Sequence, residues 1–266
     1  MAHAQADGTY YVPHDTRWPI VGSVALTTMA LGFINFLHDG DIGLYVLLAG
    51  AVLLVVMMFG WFGNVIRESH AGLYDGRMDR TFRWGMAWFI FSEVMFFAAF
   101  FGALYYARVV AVPGLAGEFN KAMTAVLLWP GFEATWPLLS MPDAKNFAVP
   151  SAVVGAWGVP ALNTAILLTS GVTITLAHWG LLKNNRPQLI LGLAATVALG
   201  VVFLYFQVTE YSHAMHELNL RMSSGVYGST FYMLTGFHGA HVTLGTIMLI
   251  VILARCLKGH FSSEHH

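Results

Sequence analysis

The sequence predicts an all-α protein, a polytopic membrane helix bundle with six spans. Three observations predict it. Of 266 residues, 57% are apolar and only 10% are charged, against about 25% charged in an ordinary soluble domain. The mean hydropathy is +0.63. Six runs are each long enough to cross the hydrocarbon layer, which takes about 20 apolar residues. The same composition excludes a soluble globular enzyme and a disordered chain. A net charge of −1 leaves no electrostatic footprint for a nucleic acid. The single cysteine, Cys256, excludes an internal disulfide framework or a Cys-rich metal site.

Residues 1–17 are polar and aromatic and lack a basic n-region, so they read as an N-terminal segment rather than a signal peptide. Residues 18–66 form a two-helix subdomain, with spans Trp18 to Leu37 and Ile42 to Ile66 around the acidic turn His38-Asp39-Gly40-Asp41. Residues 67–83 read as a loop carrying Arg67, Arg77, Arg80 and Arg83. The third span is Trp84 to Val112. The connection 113–159 is unusually long. It is also proline-rich, since six of the nine prolines fall between Pro113 and Pro160. Its apolar run Ala122 to Trp129 is too short to span, so the connection reads as an excursion packed on the membrane surface or on a partner. Residues 160–257 hold spans Pro160 to Leu182, Leu189 to Tyr211 and Ser229 to Leu257, and residues 258–266 are a tail.

The basic residues orient the spans. With six alternating crossings, nine of the 13 Lys and Arg residues fall on the side of the N-terminus, the 67–83 loop, the Lys183 to Gln188 link and the tail. The positive-inside rule places that side in the cytoplasm. The expectation is a multi-pass protein of a bacterial inner (cytoplasmic) membrane, with the N-terminus cytoplasmic and the 113–159 loop periplasmic.

A charged group at the bilayer centre costs roughly 2.5–3.5 kcal/mol on insertion scales. Glu93 sits near the middle of the third span. It reads either as a proton-carrying or ligand-contacting acid, or as a protonated acid hydrogen-bonded to a neighbouring helix. His238 and His241, at i and i+3, share one helical face. A metal or haem pair is one reading. Polar glue between helices is the favoured one, because two ligands are too few for a structural metal and Gly236 and Gly239 let a neighbour approach. Glu210 and His213, one turn apart at the outer end of the fifth span, read as a helix end or a partner contact rather than a metal site. Arg255, Lys258 and His260 cluster at the inner end of the sixth span, where cations bind anionic lipid headgroups. Arg67 and His70 offer a similar site. The chain has no phosphate loop, HExxH, CxxCH or GxSxG motif.

Four stretches carry a resemblance. They are Val65-Ile66-Arg67-Glu68-Ser69, Ser92-Glu93-Val94-Met95-Phe96-Phe97, the run Asn163-Thr164-Ala165 to Gly171, and Gly225-Val226-Tyr227-Gly228-Ser229-Thr230-Phe231 continuing to Gly236-Phe237-His238-Gly239-Ala240-His241-Val242. Together with the span order over residues 18–112 and 160–266, they resemble subunit III of the haem–copper oxidases of the cytochrome c class. The resemblance implies a subunit without haem, copper or another metal, and no catalytic residue of its own. Haem and copper are expected in the partner subunits I and II, and cytochrome c is the donor to the complex. It implies two first helices splayed from the rest around a lipid-filled cleft. Glu93 is then the buried acid at that cleft, and Arg255, Lys258, His260, Arg67 and His70 are phospholipid contacts. The implied role is to stabilise subunit I and sustain proton uptake during oxygen reduction coupled to proton pumping. The family has seven helices. Here the sequence stops after the sixth, as a truncated sequence, a shortened product or a last helix supplied separately would each explain. A subunit of a quinol oxidase or a nitric-oxide-reductase relative is the alternative. An independent transporter or proton channel is remote, because no internal repeat is visible.

Overall fold

The computed structural model describes residues 10–12 and 16–263, so parts of the N-terminal segment and the end of the tail lie outside the described residues. The helices are α1 (Trp18–Leu37), α2 (Gly43–His70), α3 (Gly76–Tyr106), α4 (Val159–Leu182), α5 (Arg186–His216) and α6 (Gly225–Leu257). α3 runs on through a π-helical turn, Ala107–Ala111, into Val112–Leu115. All six are long and apolar enough to cross a membrane. Among the described residues there is no strand.

The spans are where the apolar runs placed them, but most helices outlast the lipid. The segment 67–83, expected as a loop, is mostly helical: α2 continues to His70 and α3 starts at Gly76. Counting apolar residues sees only the hydrocarbon-crossing part, while polar turns beyond it stay helical when their ends are satisfied. α2 stops because Gly72, at φ +70°, turns left-handed. Its N–H then donates to the Ser69 carbonyl at 3.1 Å and that of Leu73 to Glu68 at 3.2 Å. α3 starts because the Asp75 carboxylate accepts from the backbone N–H groups of Arg77 (3.0 Å) and Met78 (2.9 Å). Those two bonds, the Met78 one foremost, hold the Asp75 carboxyl below the ordinary carboxylate range. In the turn, the Tyr74 hydroxyl donates to Glu68 at 2.7 Å. Burial first, then that bond, pushes the Tyr74 phenol up.

Two compact units divide within α3, one ending at Phe91 and one beginning at Ser92. In the first, α1 and α2 meet through small buried residues, Ala25 and Gly32 against Gly43 and Gly50. A Cβ on Gly50 would lie 2.7 Å from the Met29 backbone nitrogen, so the two backbones touch. In the second, α4 and α5 form a hairpin around Ala177, Leu189 and Leu193, with Cys256 of α6 closing the cluster. The Thr173 and Thr196 hydroxyls share a hydrogen bond of 2.7 Å across it.

The proline-rich connection is a strap pinned to its own chain. Leu138 and Met141 are buried with Val112. Farther along, Ala148 N–H donates to the Ser223 carbonyl (3.2 Å) and Ser151 N–H to that of Leu218 (2.9 Å). The Asn219 amide donates to the Val149 carbonyl at 3.0 Å. The 217–224 link is tied down in turn by the Tyr232 hydroxyl, which donates to the Leu220 carbonyl at 2.6 Å. The apolar run 122–129 holds only a single π-helical turn, Thr124–Leu128, and Met123, Val126, Leu127 and Leu128 are exposed.

Candidate functional site

Glu93 lies on α3 at the second residue of the second unit, and His241 is the middle residue of α6. They meet: Glu93 Oε2 and His241 Nε2 are 2.5 Å apart. The other ring nitrogen, Nδ1, is 2.6 Å from the Phe237 carbonyl, one turn back on α6. A carbonyl only accepts, so Nδ1 carries a proton. A second proton must then lie between Nε2 and Oε2, whether it is written on the acid or on the ring. In either form the pair has no net charge, which removes the cost of a lone ion at mid-span. The setting is aromatic. Phe96 and Phe97 approach the imidazole at centroid distances of 5.8 and 5.2 Å. Phe237 packs against Phe96 and Phe100 at 5.0 and 5.1 Å. The pair is not sealed: 36% of the His241 side chain and 32% of that of Glu93 stay open.

His238 does not join it. Its ring stands edge-on to Phe203 of α5 at 5.8 Å. The i, i+3 spacing thus serves two neighbours, α3 through His241 and α5 through His238, rather than one shared ligand. Both ring nitrogens of His241 are engaged, so the histidine pair does not fit a metal or haem. Among the described residues no group of three or more His, Cys, Asp or Glu side chains is placed to hold a metal ion.

At the strap end of the second unit, Glu210 is half-buried between two cavities of about 460 and 420 Å³. His213 points to Glu217 instead, at 3.0 Å, as an exposed i, i+4 pair. At the opposite end, Arg255 lies over the Phe261 ring at 4.4 Å. Lys258 is exposed and His260 half-buried beside it in sequence. Arg186, read from sequence only as a topology residue, belongs to the same cluster. Its guanidinium donates to the Cys256 carbonyl at 2.7 Å, across 70 residues. That carbonyl sits in the last turn of α6, where the helix dipole favours a cation. In the first unit, Arg67 and His70 occupy the last turn of α2, and the Arg67 guanidinium donates to the Asn64 side-chain oxygen.

Comparison with known proteins shows the family. The family model described as cytochrome c oxidase subunit III matches residues 8–266. The chain is 38% identical over 258 residues to cytochrome c oxidase subunit 3 of Hippopotamus amphibius, covering 97% of this chain and 86% of that relative. It is 37% identical over 250 residues to the Drosophila melanogaster protein of the same name, covering 94% and 83%. The Halichoerus grypus protein is 37% identical over 258 residues, covering 97% and 86%. With six membrane-crossing helices, a paired mid-span acid and a family match that runs almost from end to end, the chain belongs to the cytochrome c oxidase subunit III family.

Proposed function

We propose that this chain works as a redox-free, phospholipid-binding subunit of a cytochrome c oxidase. It braces the catalytic subunit and supports proton uptake while that subunit reduces oxygen and pumps protons. Haem and copper would reside in partner subunits I and II, with cytochrome c as donor to the complex. The observation that carries the reading is the Glu93–His241 pair. The mid-span acid is neutralised locally and clasps α3 to α6, as suits a structural member rather than a conduit. α3 presents Trp84, Trp88, Phe91, Val94 and Met95 outward, a broad apolar face suited to lipid or a neighbouring subunit.

Arg255, Lys258 and His260, with Arg186 anchoring the end of α6, form a cationic rim that suits an anionic headgroup. Arg67 and His70 suit the same role at the end of α2. Each such cation contributes about 1 kcal/mol near an anionic surface. The bias of nine cationic residues to this side supports a cytoplasmic N-terminus in an inner membrane of bacterial type.

The test is purification through this chain in a mild detergent, followed by an optical spectrum, mass spectrometry of what accompanies it, and oxygen-consumption assays with reduced cytochrome c. Haem bands, two larger redox subunits and cytochrome c oxidation are expected. Stoichiometric haem on the isolated chain, or a complex that oxidises quinol but not cytochrome c, overturns the reading.

A further inference from the structure

We draw no further inference here: the strongest candidate, the open groove between α4, α5 and α6 lined by the buried Asn163 amide, which has no partner among the described residues, carries nothing because nothing in the structure shows what covers it.

Discussion

His241 Nε2 stands 2.5 Å from Glu93 Oε2, joining two helices at residues 148 positions apart in the sequence. The bond is a clasp as well as a neutral pair. Few residues of α3 and its continuation are buried, only Met78, Ala107, Val112 and Gly114 between Gly76 and Leu115. Its hold on α6 is concentrated in this contact and the phenylalanines around it.

Removing either partner should therefore loosen α3. Interhelical hydrogen bonds in membrane proteins contribute about 0.6 kcal/mol on average, up to about 1.7. A double-mutant cycle with Glu93→Ala and His241→Ala should give a coupling of about 1 kcal/mol in detergent unfolding, and a coupling near zero would deny the clasp. Glu93→Ala should leave assembly intact while lowering bound lipid and the number of catalytic cycles before inactivation. Glu93→Gln, whose amide still reaches Nε2, should fall between it and wild type.

At the inner end of α6, Arg255→Gln and Lys258→Gln should each weaken retention of anionic lipid about 5-fold, the equivalent of about 1 kcal/mol per cation. The loss should shrink as salt is raised, because exposed charges are screened. Retention by the paired variant at low salt, measured against vesicles containing phosphatidylglycerol, decides the matter.

The cap of α3 gives a pH dependence with a definite sign. Asp75 is held below its ordinary value by the N–H groups of Met78 and Arg77. Its stabilisation is therefore complete above about pH 4, the ordinary range of the group. It is lost as pH falls through the lowered value of the folded state. Hydrogen exchange at Gly76–Arg80 should speed up on acidification below that range, and Asp75→Ala should show the fast rate already at neutral pH. A variant whose exchange matches wild type at pH 7 would remove the cap from the account.

Tyr232→Phe should free the 217–224 link. The hydroxyl's bond to the Leu220 carbonyl is buried, so its loss should cost about 1 kcal/mol plus the penalty of the unpaired carbonyl. Faster exchange should appear in 148–151 as well as in the link, since the two are hydrogen-bonded to each other.

The spans were legible because hydrocarbon thickness writes itself directly into the chain as runs of about 20 apolar residues. Trp18–Leu37 matches its run end for end. The ends of α2 and α3 were not legible in the same way, because Gly72 and Asp75 act through backbone geometry that hydropathy does not register. Glu93 stood out as a lone acid and His241 as half of a histidine pair. Nothing local in either stretch announced the other, since their meeting is a product of helix packing. Likewise, nothing in the run from Asn163 to Gly171 announces that the Asn163 side chain is buried without a partner among the described residues, because that follows from how α4 packs against its neighbours.

The strap carries a consequence for how the chain is made. Its residues 148–151 find their partners at 218–223, and everything between them is the α4–α5 hairpin. Both ends of the closure lie on one side of the membrane, so it can form only after the chain has crossed and returned. During synthesis the strap must wait for some seventy more residues to emerge. A hairpin that inserted only one helix would leave 218–223 on the far side, out of reach. Closure of the strap is in this sense a parity check on biogenesis, completed only by a chain that has made an even number of crossings.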